Sequence, residues 1–469
     1  MSSSASAVSL MESTPQAVKK LDQTVLTAEQ QAAVDSAIRF AHNSDGIGAE
    51  FLLSGLAGTG KTTTLVEIVA RLRAEGYRPC VCTPTGKAAH VINSKQSVFL
   101  AKTLHSALSK RPNDGLALIH QRLDELEIKW NSETGLTPEE QEEEAALLKK
   151  LDKAKKNGGA LSFEPIPVDE FFMTYDTLVF DESSMIGKRD TYDKLIERIP
   201  CRKYFVGDEA QLPPVKDVPA VNLGRANAKL TKILRQGKDS GILAFAHTVH
   251  GGKVMKAAEM EQYPDLTVVK DHHYKSVDNF LTEHQIVVWK NDERAQINTR
   301  ARIARGFDFT TQQHTHLPLP GETLMVDKNS PEQRLLSGEI LTVESVDEYN
   351  FWGNPYLATV TVSDSRGHIR SLTISMTDMA YKTILNPNHS EVEDKRARRD
   401  AERRGLHVMF SYAITCHKAQ GSEWDKVVYV GSMMPFSTKD WKAHWYTGCT
   451  RARKELVVAS YHFAHEFDD

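Results

Sequence analysis

The chain has 469 residues, 40 % hydrophobic and 26 % charged, with a formal net charge of −4. This is the balance of a globular protein with room for about two to four domains. It argues against a simple basic coat for nucleic acid, although a narrow basic groove is enough to track a phosphate backbone. No apolar run approaches about 18 residues, so no membrane-spanning helix is expected. The cysteines Cys80, Cys82, Cys201, Cys416 and Cys449 are odd in number and scattered. Structural disulfides and a zinc site are not expected from such spacing, and a reducing, cytoplasmic setting is.

Residues 1–21 begin Met1-Ser2-Ser3-Ser4-Ala5-Ser6-Ala7 and lack a basic segment followed by an apolar one. They read as a flexible tail rather than a signal peptide. A helix is then expected from Ala28, with Thr27 as N-cap and Gln30 at the capping-box spacing. Phe51-Leu52-Leu53 reads as a buried strand. Directly after it, Gly55-Leu56-Ala57-Gly58-Thr59-Gly60-Lys61-Thr62 has the G-x-x-x-x-G-K-[ST] form of a phosphate-binding loop. Its glycines, Gly55, Gly58 and Gly60, let backbone N–H groups face phosphate oxygens, with Thr59 and Thr63 in the same turn. Lys61 is placed to reach β- and γ-phosphates, and Thr62 to offer a hydroxyl to Mg²⁺. The pattern therefore predicts a bound nucleotide and a metal together.

Further short apolar runs follow at Cys80 to Cys82, Leu178 to Phe180 and Tyr204 to Val206, between helical stretches. A second set occurs at Ile286 to Trp289, Val427 to Val430 and Leu456 to Ala459. Alternation of this kind predicts two parallel-sheet α/β units. Two interruptions separate the strands. In the first, between about Lys110 and Pro165, Leu116, Ile119, Leu123, Leu126 and Trp130 fall at helical spacing. Thr137-Pro138-Glu139-Glu140 then gives an N-cap, a first-turn proline and a capping-box glutamate, and Gly158-Gly159 a stop. A charged helical hairpin is expected there. The second interruption, 306–404, holds β-rich stretches separated by turn residues, as in a small all-β barrel, followed by a charged, exposed helix at Glu391 to Arg404.

The carboxylates Asp181 and Glu182 end the run Leu178-Val179-Phe180. An acid at the end of a buried strand suits Mg²⁺ beside a phosphate loop, and the next glutamate suits activation of water. Three longer strings carry more information. They are Gly207-Asp208-Glu209-Ala210-Gln211-Leu212-Pro213-Pro214-Val215, Thr415-Cys416-His417-Lys418-Ala419-Gln420-Gly421-Ser422-Glu423, and Tyr446-Thr447-Gly448-Cys449-Thr450-Arg451-Ala452-Arg453. In this order they resemble superfamily 1 DNA helicases, closest to the RecD-like, Dda-type branch, from about Leu26 to Val458.

That resemblance implies an ATP-dependent DNA helicase, moving 5′→3′ on single strands. It implies an α/β fold with two RecA-like parallel-sheet domains, at 22–108 with 166–238 and at 239–305 with 405–469. The insertion 109–165 corresponds to the part carrying a duplex-splitting pin, and 306–404 to an SH3-like barrel. Residue by residue, Gln30 reads adenine. Lys61, Asp181, Glu182, Gln211, Arg235 and Arg451 form the catalytic set, and Gly421 and Glu423 join the nucleotide site. The DNA contacts are Thr83, Pro84, Thr85, Thr103, His105, Pro112, Lys290, Asn291, Thr415, His417 and Lys418, with Phe163 the candidate wedge. Single-stranded and forked DNA, single-strand-binding or replication proteins, and action as a monomer are implied in the same way. A translocase that displaces proteins without unwinding, an RNA helicase of the same superfamily and a nucleotide-switched scaffold stand as alternatives.

Overall fold

The computed structural model describes residues 26–44, 46–96, 99–110, 119, 122, 125–126, 129, 136–156, 164–234, 240–253, 255–269, 274–308, 315–330, 333, 335–364, 367–383, 385–386, 388–431 and 440–459. The N-terminal tail, Pro112, Phe163, Arg235 and the Gly158-Gly159 stop lie outside these residues, as does most of the stretch from Leu116 to Trp130.

The first α/β unit contains β1 (Glu50–Gly55), β2 (Pro79–Thr83) and β3 (Ala101–Thr103), then a ribbon of β4 (Ser109–Lys110) and β5 (Glu164–Pro165), then β6 (Thr177–Phe180), β7 (Arg202–Gly207) and β8 (Ala228–Leu230). The main strands form one six-stranded sheet in the order β3-β2-β6-β7-β1-β8, parallel throughout. Both faces of such a sheet must be covered, so its strands are apolar on both sides. The alternation is visible residue by residue. Val81, Val179, Tyr204 and Val206 join one core, while Cys80, Cys82, Leu178, Phe180 and Phe205 join another.

The second unit is built from β9 (Leu266–Val269) and β10 (Gln285–Val288). The chain then leaves into a barrel of β11 (Thr323–Val326), β12 (Ile340–Tyr349), β13 (Leu357–Asp364), β14 (Ile369–Ser375) and β15 (Leu406–Phe410). It returns through β16 (Ala413–Thr415), β17 (Trp424–Val430) and β18 (Ala452–Ala459). The second sheet is five-stranded and parallel, in the order β16-β10-β17-β18-β9. β15 closes the barrel by pairing antiparallel with β11, so the barrel continues past residue 404, the boundary expected from sequence.

One difference from the sequence reading has a simple cause. The helix Glu391–Arg404 forms with its Ser390 cap and Glu393 capping box, but one face is not exposed. Ala401 is fully buried, Asp394 bonds the Tyr356 hydroxyl, and Ala397 O accepts from Asn354 Nδ2 at 2.9 Å. Charge at most positions hid a narrow apolar and polar seam that fits the barrel. In the first insertion, the helix Pro138–Lys156 begins at the expected cap, with Glu140 N donating to Thr137 Oγ1 (3.3 Å) and Thr137 N to Glu140 Oε2 (2.9 Å).

The barrel is joined to the second sheet by a shared core. Ile286, Val288, Val428 and Val430 pack in one cluster with Val343, Val360 and Leu372 of the barrel. An ion pair seals the junction. Arg302, near the end of the helix Asn291–Ala304, donates to Glu322 at 2.6 and 2.8 Å, and Glu322 is fully buried. Burial pushes the Glu322 carboxyl above its usual range although Arg302 opposes the shift. Removing one member of such a pair strands the other charge. Glu322→Ala is therefore expected to lower stability by about 3–5 kcal/mol in urea unfolding. A loss below about 1 kcal/mol would show that the pair does not hold the barrel in place.

Candidate active site

Sheet order decides which residues meet. β6, β7 and β1 are neighbours, with Phe180 beside Phe205 and Ser54 beside Gly207 in register. The residues that follow these strands therefore emerge side by side: Asp181-Glu182 after β6, Asp208 after β7, and the phosphate loop after β1. In open parallel sheets this carboxyl edge is where ligands bind.

The loop passes into the helix Lys61–Ala74 through Gly60, whose φ is +83°. A side chain there would also place its Cβ 2.3 Å from Gln30 Nε2. Gln30 thus braces the loop. Its Nε2 donates to Thr59 O (3.2 Å), while its Oε1 accepts from Thr27 N (3.0 Å). The capping-box reading of Gln30 and its place at the nucleotide loop are both present, because one amide serves both ends. Gly58 also has positive φ, +81°. Gly55 lies against Thr59, whose hydroxyl donates to Leu56 O at 2.8 Å, and Thr63 sits in the first helical turn.

Lys61 Nζ donates to Leu56 O (3.0 Å) and to Asp208 Oδ2 (3.3 Å). Thr62 Oγ1 donates to Asp181 Oδ2 at 3.3 Å, so a hydroxyl and a carboxylate stand together as a pair of hard oxygen donors for a divalent cation. Glu182 adopts φ +51°, a left-handed conformation that is costly for a residue with a side chain. Burial, with the neighbouring Asp181 charge adding to it, pushes its carboxyl up to about 7, while Lys61 and Arg451 pull it down. Among the described residues, the buried Glu182 Oε2 and Gln211 Oε1 have no hydrogen-bond partner. Polar atoms buried without partners are costly, and two of them beside a phosphate loop fit a site built for a polar ligand.

The second unit completes the cleft. Arg451 is buried, and its guanidinium is held by neutral oxygens: Nε by Thr447 O (2.8 Å), Nη1 by Ser422 O (3.2 Å) and Nη2 by Thr450 Oγ1 (3.0 Å). Leu212 N donates to Thr447 Oγ1 (3.0 Å) and Gln420 Nε2 to Leu212 O (3.1 Å), so the loop after β7 is tied to the second unit twice. The Tyr446 hydroxyl accepts from Ala57 N (2.6 Å) and donates to Asp208 Oδ2 (2.9 Å). Asp208 and Tyr446 were not singled out from sequence. The available signal for Asp208 was an acid directly after a buried strand, the same placement that marked Asp181. Gly421 has φ +72° and faces Thr85, and Glu423 is exposed close to Lys87.

The candidate nucleic-acid contacts fall at the carboxyl ends of two strand pairs. Thr83 and Thr103 are register partners on β2 and β3, and Val288 and Thr415 are partners on β10 and β16. Thr85 and Thr103 cap short helices, accepting from Ala88 N (3.2 Å) and Ser106 N (3.3 Å). Thr83 is buried and donates to Thr85 O, Pro84 is half-buried and His105 is exposed. Lys290 and Asn291 are exposed, with the Lys290 ammonium 4.3 Å from the Trp289 ring. Thr415 is buried, and Lys418 pairs with Asp327 of the barrel. The His417 ring meets the His444 ring edge-on at 4.9 Å. Burial pushes both imidazoles down, His444 to about 4, so His417 can hydrogen-bond at neutral pH without carrying charge. Thr85, Lys87, Met325, Asp327, His417 and Lys418 line a cavity of about 160 Å³ between the two units and the barrel.

Comparison with known proteins agrees with this geometry. Residues 25–272, more than half of the chain, match a family described as AAA domain, and 410–459 match the UvrD-like helicase C-terminal domain. The ATP-dependent RecD2 DNA helicase of Deinococcus radiodurans is 26 % identical over 418 residues, covering 87 % of this chain and 46 % of the relative. The chain thus spans under half the length of that relative. A solved structure of two coordinating Pif1 helicases at forked duplex DNA superposes with a TM-score of 0.50 at 16 % identity, covering 95 % of this chain and 94 % of that one. The chain belongs to the AAA domain family, and it is similar to helicases of the RecD2 and Pif1 kind.

Proposed function

We propose that the chain hydrolyses ATP to move along single-stranded DNA and to open duplex at a fork, in the 5′→3′ direction. The observation that carries this reading is the shared site. The phosphate loop, Asp181-Glu182 and Asp208 come from one α/β unit, and Arg451 and Tyr446 from the other, joined at Ala57 and Asp208. A site divided between two units makes nucleotide occupancy and relative domain position one variable. The polarity rests on resemblance to RecD-like helicases.

In this reading Lys61 leaves Asp208 for the β- and γ-phosphates, and the loop N–H groups cradle them. Thr62 and Asp181 would hold Mg²⁺, which supplies charge neutralisation on the phosphates when bound. Glu182, half-buried with its Oε2 shut off from solvent and its affinity for a proton raised, is suited to take the proton from attacking water. Gln211 and Arg235 meet the γ-phosphate, with Arg451 as the second arginine finger. Gln30 reads the adenine edge by exchanging its bond to Thr59 O, and Gly421 and Glu423 complete the nucleotide site. The hydroxyls and amides of Thr83, Thr85, Thr103, Asn291 and Thr415, with Pro84, His105, Lys290, His417 and Lys418, suit contact with a strand backbone rather than sequence readout. Pro112 and Phe163 belong to the proposed pin. Single-strand-binding or replication proteins are proposed partners, the monomer the acting form and the cytoplasm its setting. No helix among the described residues is long and apolar enough to cross a membrane.

Lys61→Ala and Glu182→Gln are each expected to reduce poly-dT-stimulated phosphate release by about a hundredfold or more. Robust turnover in either variant would remove the assigned site. For direction, strand displacement is measured on duplexes bearing a 5′ or a 3′ single-stranded tail. The 5′-tailed substrate is expected to open. Opening of the 3′-tailed one alone would reverse the polarity, and DNA-stimulated turnover with neither opened would favour a translocase.

A further inference from the structure

We infer that Tyr446 and Asp208 are a positioning pair, which holds Lys61 and the phosphate loop and passes their state to the helix that leads into Arg451. This rests on the ATPase reading above. The pair acts through Lys61 and Ala57, whose donors it holds.

The argument begins with the donors. A phosphate loop works by turning backbone N–H groups and its lysine onto phosphate oxygens. Here two of those donors are already used inside the protein. Ala57 N–H points to the Tyr446 hydroxyl (2.6 Å) and Lys61 Nζ to Asp208 Oδ2 (3.3 Å). The phenol oxygen and the carboxylate thus occupy donors that phosphate oxygens would claim. Asp208 is fully buried, and among the described residues its carboxylate otherwise accepts from Tyr446 O–H (2.9 Å) and, at Oδ1, from Ala210 N (3.0 Å). When Lys61 moves to a phosphate, a buried carboxylate loses its cation. The hydroxyl of Tyr446, released by Ala57 at the same moment, becomes its principal donor. A charge-assisted bond of this kind is stronger than a neutral one.

Tyr446 cannot respond alone. It sits in the helix Trp441–Cys449, is buried, and its ring lies 6.0 and 5.4 Å from the rings of His247 and His250. The next residue, Thr447, accepts from Leu212 N through Oγ1 and from Arg451 Nε through its carbonyl. A shift at the Tyr446 hydroxyl therefore moves the frame on which the Arg451 guanidinium rests.

The test uses Tyr446→Phe, which keeps the ring and removes both hydrogen bonds. Affinity for a fluorescent ADP analogue is measured without DNA, and kcat and KM for ATP with saturating poly-dT. ADP is expected to bind about 3–10-fold tighter, because the free loop no longer has an internal competitor. The same variant is expected to lose about tenfold or more in kcat without a rise in KM. Asp208→Asn, which frees Lys61 while keeping an acceptor for Tyr446, is expected to tighten ADP binding in the same way. A residue that merely supports the fold would weaken binding and turnover together. Unchanged or weaker ADP binding in both variants, or unchanged kcat in Tyr446→Phe, would overturn the pair. Absence of DNA-stimulated turnover in the unaltered protein would instead overturn the ATPase reading, and the ADP comparison would still decide the pair.

Discussion

A single buried carboxylate organises the centre of this molecule. Asp208 follows β7 directly, has no exposure to solvent, and receives Lys61, Tyr446 and Ala210. An isolated buried carboxylate would cost several kcal/mol, so its donors are obligatory rather than decorative. They come from two different α/β units, which makes their relative position part of the solvation of one charge. The phosphate loop, the strand ends and the Arg451 helix all answer to that constraint.

The wider architecture follows from the same economy of placement. Parallel sheets present their strand ends at one edge, and sheet order sets which loops are neighbours. In the first sheet that edge carries the phosphate loop and carboxylates in the middle and Thr83 and Thr103 at the side. In the second, Thr415 and the residues after Val288 hold the matching place. The barrel shares a core with the second sheet and is packed against that unit. Its Asp327 and Met325 reach the cavity shared with Thr85 and His417. The edge that carries the phosphate loop and the edge that carries Thr83, Thr103 and Thr415 are thus joined through packed units rather than through a chain of flexible side chains.

Much of this was legible in the residues. β1, β2, β6 and β7 are buried on both faces and so appear as short apolar runs, and the loop motif between β1 and its helix names its own ligand. Short strands such as β3, β9 and β16 were not seen, because a three- or four-residue strand carries little periodic signal. β15 looks like any apolar run; that it closes the barrel depends on pairing with β11, far back in sequence. Tyr446 and Asp208 lie 238 residues apart, and no local pattern links a tyrosine to an acid over that distance. The residues of a site were readable where they share one loop. Their mutual contacts were not, because packing alone creates them.

The central claim is that one catalytic centre is divided between two units. It is tested most directly by measuring DNA-stimulated ATP turnover and nucleotide affinity for Arg451→Ala. The account predicts that turnover falls by about a hundredfold or more while ADP affinity changes by less than about threefold, since the arginine acts on charge that develops in the reaction. Turnover retained near the unaltered level would contradict it, because the first unit would then be hydrolysing ATP by itself.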